Sequence, residues 1–224
     1  VDSSGKVLKE NSIEINAHAK RPVASIQKVL SAYVAFENKS LIGSSMRYSS
    51  NAENIDEASS RDPEEGYVHN DSNDVASVGD NVSYNKTLTE LLRRSANGAG
   101  YMIAESIYVA EKKSNSSIQS VEGLYAEKAM SVARQVLGSN MVSVFKNPHG
   151  LDVYAGQSHL SHGSTASEMA RLLAGLAVRK SGGKRFDDFV WSLGSGLPYK
   201  KGRIFKNGST LRAGKTFVAL EDVS

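Results

Sequence analysis

Residues Ser25–Glu37 carry the strongest folding constraint in the chain. Val29, Leu30, Tyr33, Val34 and Phe36 cover most of a helix circumference, and Pro22 introduces the segment. A surface helix confines its apolar residues to one stripe, so a helix apolar nearly all round has to be enclosed. That requires packed elements on several sides. With 224 residues the chain can supply them, since a domain of this size buries roughly 70–75% of its unfolded surface without staples. Cysteine is absent, which excludes a disulfide framework, a thiolate nucleophile and Cys-ligated zinc. No apolar run reaches the ~18 residues that a spanning helix needs. The opening Val1-Asp2-Ser3-Ser4-Gly5, without a starting Met or a signal peptide, reads as a processed or trimmed start.

The partners of the enclosed helix follow from pattern. Residues 5–10 read as a strand after a turn, and 12–16, with Ile13 and Ile15 on one face, as a second. Thr87-Leu88-Thr89-Glu90 reads as a capping box opening a helix through Arg94. A helix is expected over about 99–112. Val121, Leu124, Tyr125, Val132, Val136 and Leu137 form an amphipathic stripe that stops at Gly138. Thr165 and Glu168 form another capping box, ahead of Met169, Leu172, Leu173 and Leu176. Arg203–Lys206 and Lys215–Leu220 read as strands joined by a loop over Asn207–Gly214. Strands at both ends and helices between them predict an α/β (α+β) fold, with one sheet and an inserted helical part. A cleft would lie between the two. The expected organisation is a single domain over 1–224, its sheet part about 1–37 and 190–224 and its helical part about 38–189.

Net charge is only +3, too small to indicate a nucleic-acid partner. The distribution is uneven. Residues 51–80 hold nine acidic side chains against one Arg, and read as a long, solvated loop or insert. Residues 179–215 hold ten Lys/Arg against Asp187 and Asp188, either a solvated face or the lining of a site for an anion.

Three short patterns carry chemistry. In Ser25-Ile26-Gln27-Lys28, helical positions i and i+3 share a face, so the Lys28 amine can reach the Ser25 hydroxyl and act as its base. The spacing is common, recurring at Ser3/Lys6, Ser83/Lys86, Ser143/Lys146 and Ser181/Lys184, but only the Ser25 copy heads a strongly apolar helix. Ser95-Ala96-Asn97 follows a helix and can offer a hydroxyl relay and an amide, or be a turn with polar caps. In Ile204-Phe205-Lys206-Asn207-Gly208-Ser209-Thr210, alternation turns Lys206 to one side, and Gly208 allows a close backbone approach. A basic strand followed by a turn explains that segment equally well.

Together the three, in this order, resemble the active-site serine penicillin-recognising family, and most closely its low-molecular-mass D-alanyl-D-alanine carboxypeptidases. Further similar phrases are Arg21-Pro22-Val23-Ala24-Ser25, Leu91-Leu92 ahead of Ser95, and Tyr125-Ala126-Glu127-Lys128-Ala129-Met130. Asn147-Pro148-His149-Gly150-Leu151-Asp152 is the most specific, followed by Gln157 and Ser164-Thr165-Ala166 with Glu168-Met169-Ala170. The likeness covers nearly the whole chain except 45–75 and 180–201. It implies a β-lactamase/transpeptidase-like fold with an antiparallel sheet from both chain ends and an inserted helical subdomain. It implies Ser25 as acylated nucleophile, Lys28 as its base, Ser95 as proton relay, and Asn97 as holder of the substrate's peptide amide. Lys206, Asn207, Gly208 and Ser209 would form the third motif, with the Ser25 and Ser209 backbone N–H groups as oxyanion donors. The implied partners are peptidoglycan stem peptides and covalently bound β-lactams, outside the cytoplasmic membrane. No metal, cofactor or nucleic acid is implied, and any peripheral membrane attachment would use a segment outside this chain.

Two departures stand out. The third motif is Lys-Thr/Ser-Gly in the family and Lys206-Asn207-Gly208 here, so Asn207 keeps a donor but loses the hydroxyl. Lys180-Ser181-Gly182 fits the letters, but follows directly on a helix and is expected to lack a strand. The chain is also expected to start within the family's first strand and to stop before its last strands. A D,D-endopeptidase, a β-lactamase and a non-catalytic peptidoglycan-binding relative stay open as alternatives. His159 and His162 lack a third metal ligand, and His149 is expected to order a loop near the cleft. Glu111, with Asn115 after it, only mimics a deacylating motif, and Trp191 is expected to be packing.

Overall fold

In the computed structural model, the described residues are 17–60, 76–113, 117–118, 120–151 and 162–193, with the strand backbones 199–200, 203–210 and 214–219. The strands expected at 5–10 and 12–16 lie outside them.

The enclosed helix is α1, Lys28–Glu37, entered through a 3₁₀ turn at Ala24–Gln27. Its residues from Lys28 to Phe36 are all buried. Each fully buried Val, Leu or Phe side chain contributes about 1.5–3 kcal/mol, so this segment is the axis of the core. A short helix α2, Lys39–Ile42, follows, then β1, Ser45–Arg47, and α3, Ser50–Ser60. β2, Asn81–Ser83, pairs antiparallel with β1, Met46 opposite Val82.

Next come α4, Tyr84–Thr89, continued by a π turn at Glu90–Arg94, then α5, Asn97–Lys112, and α6, Val121–Leu137. α6 is capped by the Ser120 hydroxyl and stops at Gly138, whose φ of 90° suits glycine. α7, Ala166–Val178, begins at the expected cap: the Thr165 Oγ accepts the Glu168 N–H at 3.0 Å. α1 packs against α5, α6, α7 and the π turn. Beyond α7 lie a two-residue hairpin, β3 Lys180–Ser181 with β4 Lys184–Arg185, and α8, Phe186–Ser192. Phe186 and Phe189 of α8 close the core against Tyr33 and Phe36, the Phe36 and Phe189 rings stacking at 4.9 Å. The chain then forms a three-stranded antiparallel sheet, β5 Tyr199–Lys200, β6 Arg203–Thr210 and β7 Gly214–Ala219. β6 lies beside the Ala24–Gln27 turn, at the head of the buried helix. Among the described residues, no helix is long and apolar enough to cross a membrane.

Five local expectations are corrected. The helix placed at Thr87–Glu90 starts at Tyr84, because the Ser83 Oγ takes the Lys86 N–H at 3.3 Å and the early start buries Tyr84. Thr87 is then interior, its hydroxyl donating to the Ser83 carbonyl at 3.2 Å. The loop expected over Asn207–Gly214 is strand as far as Thr210, since Gly208, Ser209 and Thr210 pair with Thr216, Lys215 and Gly214. The acidic segment after Ser50 is not all loop: α3 occupies its first part, with Ala52, Ile55 and Asp56 buried. Trp191 is 50% exposed, because α8 turns Phe186, Phe189 and Val190 inward instead. The Lys180 triplet follows α7 directly, as expected, but does form a short strand.

Candidate active site

Ser25 is half-buried in the 3₁₀ turn, and its position depends on Ala24. Ala24 has φ 49°, a left-handed conformation that an L residue adopts only when its surroundings impose it. The surroundings are the loop at Asn147–Gly150. A Cβ at Gly150 (φ 84°) would stand 2.0 Å from the Ala24 carbonyl oxygen, so the loop backbone rests directly on the turn.

That loop is held by neutral hydrogen bonds. The Asn147 Oδ1 accepts the Gly150 N–H at 2.7 Å and the His149 N–H at 3.3 Å, while its Nδ2 donates to the Leu151 carbonyl at 2.9 Å. From α1, the Ser31 hydroxyl donates to the Pro148 carbonyl at 2.7 Å, and the Gln27 amide donates to the Asn147 carbonyl. Because Ser31 commits its proton to Pro148, the Tyr125 hydroxyl donates to Ser31 at 2.7 Å, and Gln27 Nε2 donates to Tyr125 at 3.4 Å. Burial pushes the Tyr125 pKa up to about 12, opposed by its bonds to Ser31 and Gln27. His149 lies fully buried in the same loop, its Nδ1 accepting the Leu151 N–H at 3.3 Å. Burial, with the charges of Lys28 and His162, holds its pKa well below the ordinary value. The ring is therefore a neutral spacer beside Lys28.

Lys28 is fully buried. Its Nζ lies 2.7 Å from the Ser25 Oγ and 3.1 Å from the Ser95 Oγ. An amine between two hydroxyls can take a proton from one and pass it to the other. Ser95 reaches it from the junction of the π turn and α5, and is itself left-handed at φ 63°. Asn97 is the first residue of α5, and its buried Oδ1 has no hydrogen-bond partner among the described residues.

The residue that sequence reasoning missed is Asp56. It comes from α3, is 8% exposed, and accepts the Gly98 N–H at 2.6 Å and the Tyr48 hydroxyl at 3.1 Å. Burial raises its pKa; the Gly98 amide, Tyr48, the Lys28 charge and the Asn97 amide pull it back. The available signal was the apolar pair Ala52 and Ile55, which puts Asp56 on the inward side of a helix.

No protein-family model matches the chain, and no curated protein matches it. Solved structures do. One is a penicillin-binding protein homolog from Mycobacterium tuberculosis, with TM-score 0.58 and 20% identity over 97% of this chain and 74% of that one. Another is a peptidoglycan synthesis regulatory factor from Streptococcus pneumoniae, with TM-score 0.59 and 20% identity over 98% of this chain and 66% of that one. A third is a D-alanyl-D-alanine carboxypeptidase from Mycobacterium tuberculosis, with TM-score 0.57 and 21% identity over 91% of this chain and 70% of that one. The chain has the fold of the low-molecular-mass penicillin-binding proteins.

In this penicillin-binding-protein fold, Ser25, Lys28 and Ser95 meet at one amine, and Asn97 stands one helical step away. Lys206, Asn207, Gly208 and Ser209 lie on β6, the strand beside the Ser25 turn; their side chains lie outside the described residues. The remaining candidates do not join the site. Glu111 forms an ion pair with Lys128 at 2.5 Å. His162 is fully buried, its Nδ1 accepting the Lys146 N–H at 3.1 Å. His159 lies outside the described residues, and no group of three metal-ligating side chains occurs among those described.

Proposed function

We propose that the chain is a serine-type D-Ala-D-Ala carboxypeptidase that forms an acyl-enzyme on Ser25 and removes the terminal D-alanine of peptidoglycan stem peptides. The observation that carries this reading is the buried Lys28 amine within hydrogen-bond distance of both the Ser25 and Ser95 hydroxyls. Ser25 Oγ adds to the carbonyl carbon of the penultimate D-alanine, and its proton passes to the Lys28 nitrogen. The backbone N–H groups of Ser25 and Ser209 receive the oxyanion, such donors each contributing about 3–4 kcal/mol. Collapse breaks the C–N bond as a proton moves from Lys28 through Ser95 to the departing amine. Water then adds to the ester, gives up its proton along the same route, and frees Ser25. Asn97 holds a peptide amide of the substrate, and Lys206 its terminal carboxylate. The reaction takes place outside the cytoplasmic membrane.

Intact-protein mass spectrometry after penicillin treatment tests the reading. Wild type gains the mass of one penicillin and Ser25→Ala gains none; an unmodified wild-type protein would sink the assignment. A second reading, a ligand-binding relative without turnover, is favoured by Asn207 in place of the family's hydroxyl residue. It predicts an adduct but no released D-alanine, with Asn207→Thr restoring release. Wild-type release of D-alanine from a stem pentapeptide excludes it.

A further inference from the structure

We propose that Asp56 is a positioning residue for this site: its carboxylate, delivered from α3, caps α5, fixes the Ser95–Asn97 arm, and sets a negative charge behind Lys28. The inference rests on the reading of Ser25, Lys28 and Ser95 as acylation machinery, and adds a residue from a distant part of the chain.

The need for such a residue is local. α5 has Ala96 at its N-cap, with no side-chain oxygen to accept the first free amides. A helix of 16 residues beginning without a cap would fray where Asn97 has to be held. Asp56 supplies the acceptor from elsewhere, bonding the Gly98 N–H at 2.6 Å with the Asn97 amide adding a second backbone bond. Its other oxygen is fixed by the buried Tyr48 hydroxyl at 3.1 Å. Room for the carboxylate exists because residue 98 is glycine: a Cβ there would lie 2.2 Å from Asp56 Oδ2 and 2.7 Å from the Ala52 carbonyl oxygen. The carboxylate occupies the volume that a side chain at 98 would fill.

The consequences reach the reacting groups. Ser95 is held left-handed one residue before the cap, so loosening α5 at Asn97 and Gly98 releases the strain at Ser95 and withdraws its hydroxyl from Lys28. The charge acts separately. Asp56 from α3 and His149 from the Asn147–Gly150 loop are both electrically coupled to Lys28, while Tyr48 faces Asp56. With His149 neutral, Asp56 is a counter-charge that favours the protonated amine.

Three variants separate capping from charge: Asp56→Asn keeps an acceptor and removes the charge, Asp56→Ala removes both, and Gly98→Ala displaces the carboxylate without neutralising it. Two readouts are taken on each: hydrogen exchange at the Asn97 and Gly98 amides, and the pH profile of penicillin acylation. Asp56→Asn is expected to stay folded and to move the acidic limb of the profile to lower pH. Asp56→Ala and Gly98→Ala are expected to lose exchange protection at both amides and to acylate on the order of 100-fold more slowly. A folded Asp56→Ala with wild-type exchange and a wild-type profile overturns the proposal. If wild type itself is not acylated, the reading of the site fails instead, and amide exchange alone then decides whether Asp56 holds the arm.

Discussion

The two turns that meet at Lys28 are bent alike and held differently. Ala24 and Ser95 both adopt left-handed backbone at non-glycine positions, a conformation costing on the order of 1–3 kcal/mol each. At Ala24 the restraint is neutral and extended: Gly150 presses on the carbonyl, and Gln27, Ser31, Tyr125 and Asn147 hold the loop carrying it. At Ser95 the restraint is one buried carboxylate on two amides. A neutral network spreads its load over many bonds and can lose one. A charged cap concentrates it, so its loss is felt at once.

The most severe way to break the comparison is at Gly150. Gly150→Ala places a methyl against the Ala24 carbonyl and should slow penicillin acylation on the order of 100-fold or more, since sub-ångström placement of the nucleophile is at stake. Circular dichroism and thermal melting establish whether the fold survives; a folded variant with wild-type acylation shows that the loop does not set the turn.

Acid should damage the Ala24 side through the segment leading into the Asn147–Gly150 loop. His162, bonded to the Lys146 amide, has a pKa lowered to about 4 by burial and by the charges of Lys146 and Lys20. As pH falls, the unfolded chain takes up this proton first, near 6.5, so stability is full above that value and drains away down to about 4. The expected loss is on the order of 3 kcal/mol. Melting curves between pH 7 and 4 should fall less steeply for His162→Asn than for wild type, and equal slopes would remove His162 from the account.

The mildest test is Ser31→Ala, which leaves the Pro148 carbonyl and the Tyr125 hydroxyl without that partner. It should destabilise by about 1–3 kcal/mol in denaturant unfolding and leave acylation at neutral pH near wild type. A large acylation defect at unchanged stability would mean that the network is not redundant.

What the sequence discloses follows the range of the interaction. The enclosure of α1, the Thr165 cap, the Gly138 stop and the Ser25/Lys28 pairing are encoded within a few residues, and the structure has each of them. The choice of Ser83 over Thr87 as cap depends on burying Tyr84 near Phe189, which no local pattern contains. The left-handed Ala24 is equally illegible, because its cause is Gly150 in a distant loop. Asp56 lies between these cases: in a run of acidic residues it reads as solvated, the Ala52 and Ile55 pair is its one local sign of an inward face, and the packing of α3 on α5 buries it.

One carbonyl joins the two sides. The Pro148 oxygen accepts the Ser31 hydroxyl, and a Cβ at Gly100 of α5 would come within 2.7 Å of it. Positions 31 and 100 therefore cannot vary independently. A larger residue at 100 drives the loop away from Ser31, and a retreating loop in turn relaxes Ala24. In descent, substitutions at these two places are expected to arrive together or not at all, although neither residue takes part in the chemistry.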